Sequence, residues 1–274
     1  MTPLIGAGFG ATAFTVFALG LRHGADPDHL AAIDNITRNS LGTRSRLSRF
    51  AGTLFAGGHS VMVLTIAALA GLLGSRLSIN GALLETVGTW VSIATLFLIA
   101  GFNLRQLAAN ADRPNGLKSA LLPPALRAAT SPLAAIPIGL LFGLGFDTSS
   151  QIATYALAFS VGGGVLVAAL VGLIFSFGMA VTDTLDSMLV HDLCMRAPLE
   201  RKRATRIWIA AVTCLALVVG GYELAQVLGW QSPVPDIAVS AILVSTLLAV
   251  FAWTYVSVRG AARVAATSQP PAAA

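Results

Sequence analysis

Residues 3–29, PLIGAGFGATAFTVFALGLRHGADPDH, carry an apolar run from Pro3 to Leu21 straight into Arg22-His23-Gly24-Ala25-Asp26-Pro27-Asp28-His29, a block of charged and metal-ligating side chains. The run has the length an α-helix needs to cross a hydrocarbon core, about 20 residues. No basic residue precedes Arg22, the reverse of a signal peptide's positive start, so the run reads as a retained span. Working outward from this first span, taken as 4–24, similar runs lie at 50–74, 85–107, 133–159, 161–185, 207–229 and 236–258. The expectation is an all-α polytopic transmembrane helix bundle of seven spans.

Composition points the same way. Of 274 residues, 55% are hydrophobic and 11% charged, against roughly 25% charged in soluble domains, and the mean hydropathy is +0.79. A soluble enzyme is excluded. The expected organisation is one transmembrane permease domain over residues 1–264, with a cytoplasmic linker at 108–131 rich in Pro, Gly and polar residues. The tail 265–274, AATSQPPAAA, is too poor in large apolar residues to order itself and reads as disordered. Cys194 and Cys214 make neither a disulfide framework nor a CxxC metal site and read as packing residues.

The net charge of +5 reports topology rather than nucleic-acid binding. Arg38, Arg44, Arg46 and Arg49 follow the first span, Arg105, Arg113, Lys118 and Arg127 the third, Arg196 through Arg206 the fifth, and Arg259 and Arg263 the last. The opposite side holds only Arg76. The positive-inside rule then puts the N-terminus outside and the C-terminus in the cytoplasm, with the lipid bilayer as the partner of every span. A faint internal echo, FALGLRHGAD with LFGLGFDTSS and FAGGHSV with FSFGMAV, would suit an inverted repeat of the transporter kind.

His23, His29 and His59, with Asp26, Asp28, Asp34, Asp147, Asp183 and Asp186, fall in or against spans. An ionisable group at the bilayer centre costs about 2.5–3.5 kcal/mol even on a lenient scale, so such groups mark a cavity, a partner or a pathway. On an unbroken helix His23, Asp26 and His29 would share an arc of roughly 120°. Pro27 argues for a break instead, with Asp26 as N-cap and Pro27 opening a second short helix to about Thr37. Mixed imidazole and carboxylate donors suit a borderline divalent transition metal such as Ni2+, Co2+ or Zn2+. The competing reading is a polar helix cap in which these acids pair with Arg22 and Arg38, which accounts for one acid but not for two histidines and three acids together. His59, after the paired glycines Gly57 and Gly58, reads equally as ligand or as hydrogen-bonded glue. Asp147 has no basic residue near it in sequence and needs a cation or a proton. Asp183 and Asp186 stand between pathway groups and solvated acids, and His191 and Asp192 read as a solvated loop.

These residues resemble the nickel/cobalt transporter family of secondary permeases. Its HX4DH signature is met by His23, Asp28 and His29, within a longer pattern taking in Arg22, Asp26 and Ala31 to Arg38. Further motifs are met by Phe55 with Gly58-His59-Ser60, by Leu144 to Thr148, and by Gly178-Met179 with Asp183-Thr184-Leu185-Asp186. The resemblance implies import of Ni2+ or Co2+ as transported substrate, with the HX4DH residues as principal metal site and no prosthetic cofactor. Departures are Gly24 and Pro27 where the family has Ala, Val61 where it has Thr, and Ser149-Ser150-Gln151 where it has Ala-Thr-Glu. The family's signature lies on its second helix and here on the first, which implies that its opening helix, thought to help choose between nickel and cobalt, is absent.

The expected metal residues are therefore His23, Asp26, Asp28, His29, His59 and Asp147, in a permease that is not an enzyme. No GxxxxGK[ST] motif occurs, so energy must come from an ion gradient or a separate chain. An exporter of the same metals or a permease for another divalent cation fits the same residues. An intramembrane metal-dependent hydrolase is the rival from another class, although HExxH is absent and no glutamate lies near these histidines.

Overall fold

Pro27 separates the first two helices. In the computed structural model, which describes residues 7–74, 81–109, 122–144, 164–196 and 201–234 together with 151, 154, 155 and single residues between 238 and 256, α1 (Ala7–Gly24) stops short of the proline and α2 (Pro27–Ser40) begins on it. A proline has no N–H for a helical bond and pushes the residue before it to extended backbone. Asp26 accordingly has φ −62° and ψ 141° and is the N-cap residue of α2. Its carboxylate makes no cap bond; the side chain is engaged elsewhere, as described below.

The remaining helices are α3 (Ala51–Gly74), α4 (Gly81–Ala108), the short α5 (Pro124–Arg127), α6 (Ala135–Gly143), α7 (Gly164–Arg196) and α8 (Arg201–Val227), with 3₁₀ turns at Leu41–Thr43, Arg46–Phe50 and Pro132–Ala134. No strand occurs among the described residues. Four stretches among them are long and apolar enough to cross a membrane: Arg46–Leu69, Thr89–Ala108, Gly164–Asp192 and Ile209–Val227. They correspond to the runs expected at 50–74, 85–107, 161–185 and 207–229. The run at 133–159 is represented by the shorter apolar helix Pro132–Gly143. Most of 236–258, linker residues 110–121 and the tail lie outside the described residues.

One boundary differs in substance. The fifth run was expected to end at 185, but α7 continues to Arg196, so His191 and Asp192 are helical residues and not a loop. No proline interrupts 164–196, and charged side chains do not by themselves stop a helix. α7 is the centre of the molecule, packed by α1, α3 and α2, while α3 also packs on α6, and α4 pairs with α8. Ala168, Val171, Phe175, Met179, Asp183, Asp186 and Val190 form its buried stripe, while Leu166, Leu170, Leu173 and Phe177 are exposed on another face. A soluble helix turns its charges outward; this one turns its carboxylates inward and leucines outward, the polarity of a helix whose solvent is lipid.

Glycine lets the helices approach closely enough to build a site between them. A Cβ at Gly20 of α1 would meet the Phe175 carbonyl of α7, and one at Gly58 of α3 would meet the Ile136 carbonyl of α6. Gly57 has nothing within 4 Å of the same position. Gly58→Ala should therefore cost about 1–3 kcal/mol of overpacking and lower the melting temperature of the detergent-purified protein by several degrees. Gly57→Ala should leave it unchanged or raise it. Equal melting temperatures for the two variants would contradict this packing.

Candidate metal centre

The break at Asp26-Pro27 brings three histidines together. On a continuous helix His23 and His29 would be separated by about 9 Å along the axis, whereas their ring centroids here are 4.6 Å apart. His59 comes from α3, with centroids 5.1 Å from His23 and 4.9 Å from His29. All three side chains are buried, and one ring nitrogen from each lies within 4.8 Å of the others. The Nε2 atoms of His23 and His59 are 3.3 Å apart. With metal–nitrogen bonds of about 2.0–2.1 Å, two nitrogens on one ion subtending about 90–110° stand about 2.9–3.4 Å apart. The separation suits two ligands of one ion as well as a hydrogen bond between the rings.

Carboxylates set the orientation of the rings. His23 Nδ1 is 3.1 Å from Asp26 Oδ2, which is why Asp26 does not cap α2. His29 Nδ1 is 3.2 Å from Asp183 Oδ1 of α7. An Nδ1–H donating to a carboxylate leaves Nε2 as the lone-pair nitrogen, the arrangement that prepares a histidine to ligate. Phe55 stacks edge-on to His29 at 4.9 Å and Phe175 lies 5.2 Å from His23, with Phe142 6.1 Å from His29. These walls are apolar, so charge inside them is felt strongly.

Among the described residues, the close group consists of the three imidazoles. Asp26 stands one hydrogen bond behind His23, and Asp28, although buried, is not in that group. Asp147 lies outside the described residues. Asp34 is held by both arms of Arg38, at 2.7 Å each, a bidentate pair that neutralises it. Arg22 pairs with Glu223 of α8 at 2.8 Å, so the reading in which Arg22 pairs with an acid of its own segment does not hold.

Asp183 and Asp186 are not solvated: both are 0% exposed. Asp183 is the site residue that sequence reasoning left undecided, and its signal was the run Asp183-Thr184-Leu185-Asp186 in a span. Asp192 is buried as well, 4.0 Å from Arg49, against the expectation of a solvated loop. Gln151 is buried, and its Nε2 donates to the Tyr155 hydroxyl at 2.8 Å and the Gly143 carbonyl at 3.3 Å, a fastening role. Cys194 is half-buried and Cys214 exposed, and neither forms a disulfide, so Cys214 is not a buried packing residue.

Gly24 belongs to this geometry. A Cβ there would stand 2.7 Å from the Met179 carbonyl and 3.0 Å from Asp183 Oδ1, the oxygen that holds His29. Gly24→Ala should push Asp183 off His29 and raise the apparent KM for metal uptake severalfold, with less change in maximal rate. A KM equal to that of the parent in a kinetic uptake assay would show that Asp183 does not need the space.

Residues 9–270 match the family model described as NicO, high-affinity nickel-transport protein. Among individual proteins, the chain is 33% identical over 252 residues to the hydrogenase nickel incorporation protein HupN of Bradyrhizobium diazoefficiens, covering 80% of this chain and 65% of that one. It is 35% identical over 257 residues to the nickel transporter NixA of Staphylococcus aureus, covering 81% and 73%. To the cobalt transport protein NhlF of Rhodococcus rhodochrous it is 29% identical over 277 residues, covering 86% and 78%. No solved structure matches the chain.

Proposed function

The chain belongs to the family of high-affinity nickel-transport proteins, and from that premise we propose that it is a secondary permease importing Ni2+ or Co2+ across the cytoplasmic membrane. The observation that carries the reading is the convergence of His23, His29 and His59 at the helix break, inside apolar walls. Nitrogen donors of this kind favour borderline transition metals over Mg2+ or Ca2+, which take oxygen. The named relatives transport nickel in one case and cobalt in another, and either ion suits the donor set.

In the mechanism we infer, the ion binds through the Nε2 atoms of the three histidines. Without an ion, the 3.3 Å contact between two Nε2 atoms needs a proton on one of them; the metal takes that proton's place. Asp26 and Asp183 hold the rings by their Nδ1 atoms. Asp28, beside His29 in sequence and buried, adds negative charge to the site, and Asp147 serves as a second station. The chain crosses the bilayer seven times, its N-terminus outside and its C-terminus cytoplasmic, and residues 1–264 act as one permease unit. The alternation of basic loops and the four long apolar helices support that topology.

The test is metal accumulation by cells with and without the protein at trace Ni2+ or Co2+. Higher cell-associated metal in expressing cells is the expected result. Lower metal than in the control would mean export, and no difference for either ion would remove the transport reading.

A further inference from the structure

A second concavity, lined by apolar surface as well as by basic side chains, lies away from the histidines, where the segment after α2 packs on the end of α7. It is a cavity of about 410 Å³, and its lining includes Arg44, Arg46, Arg49 and His191 together with Phe50 and Met195. Arg44 and Arg46 are exposed and Arg49 half-buried. Among the described residues, the carboxylate that reaches this group is Asp192, 4.0 Å from Arg49 and 3.5 Å from His191 Nδ1. One carboxylate against three permanent positive charges leaves the cavity cationic. It cannot be a station for a divalent cation, which those guanidiniums repel.

Guanidinium groups match phosphate oxygens in charge and in forked geometry. Apolar side chains of the lining are exposed: Phe50 is 39% exposed and Met195 61%. Cationic walls beside exposed apolar side chains fit an amphiphile better than a free inorganic ion, and basic pockets at the cytoplasmic ends of membrane helices suit anionic headgroups. We propose that this cavity binds the phosphate of an anionic phospholipid of the cytoplasmic leaflet. The leaflet follows from the topology proposed above; the binding chemistry does not depend on it, nor on metal ligation by the histidines. The bound headgroup holds the 3₁₀ segment Arg46–Phe50 against α7, where Ser187 Oγ already donates to the Arg49 carbonyl at 3.0 Å. Asp183 lies one turn further along the same helix, so the lipid braces the helix that orients His29.

Native mass spectrometry of the full chain in detergent tests this with phosphatidylglycerol and phosphatidylcholine of equal acyl length, with inorganic phosphate as competitor. The expected result is selective retention of phosphatidylglycerol, about fivefold weaker in Arg46→Gln and about a hundredfold weaker in the triple variant Arg44→Gln/Arg46→Gln/Arg49→Gln. The exposed single substitution guards against a triple variant that misfolds, and the melting temperature of each variant checks this. Equal retention of the two lipids by the parent chain overturns the proposal. So does undiminished phosphatidylglycerol preference in both variants. Occupancy by inorganic phosphate without any lipid preference also overturns it, by making the ligand a soluble anion.

Discussion

His29→Ala abolishes uptake of Ni2+ and Co2+, reducing the rate at trace metal by about a hundredfold or more, while the protein still inserts and accumulates in the membrane. The size follows from two losses at once. One of three converging imidazoles disappears, and Asp183, fully buried, loses the ring against which its Oδ1 lies at 3.2 Å. Stranding a buried carboxylate is costly beyond the missing ligand. Asp183→Asn separates the two effects, because the amide can keep a hydrogen bond to Nδ1 but not the charge that makes His29 a better ligand. Loss of such an outer partner lowers metal affinity by about 10–100-fold, so Asp183→Asn should fall between the parent and His29→Ala. Gly57→Ala, on an open face of α3 with nothing within 4 Å, is the matched control. Radiolabelled metal uptake normalised to membrane protein level decides the matter: parental uptake by His29→Ala would take the binding site away from the helix break.

The features legible in the sequence were those written in neighbouring residues. Asp26-Pro27 announced the break and its N-cap because proline acts on its own backbone and on that of the residue before it. His59 was legible only as one of two readings, ligand or hydrogen-bonded glue, because an imidazole in an apolar run serves either. The Asp183–His29 contact was not legible, since 154 positions separate the partners and only the packing of α2 on α7 brings them together. The same packing explains why the depth of Asp183 and Asp186 stays open in the sequence. A cluster of acids and bases after an apolar run looks like the edge of a membrane, yet α7 carries it to Arg196 as the buried stripe of a central helix. The family resemblance implies a principal metal site of His23, Asp28 and His29. The close group joins His59 of another helix to His23 and His29, because the break turns α2 and α3 supplies the third ring.

Collapsing the membrane potential stops net accumulation. A divalent ion entering a cell gains about 2.3 kcal/mol per charge per 100 mV, or about 4.6 kcal/mol for two charges. That is enough to concentrate it more than about a thousandfold, so the potential alone can drive import through a chain without a nucleotide-binding motif. Proton dependence then follows from the ligands. An imidazole binds metal only when neutral. Lowering the external pH adds protons to the state that cannot ligate, so uptake falls as pH drops. Proteoliposomes loaded to impose an inside-negative potential, at equal pH on both sides, should take up Ni2+ or Co2+ and lose that uptake when the potential is discharged. If entry instead requires an inward proton gradient and rises with external acidity, a protonated group must travel with the metal. Asp186, buried in α7 outside the three-histidine group, or Asp147 would then be the carrier to substitute, and potential-driven uniport would be wrong.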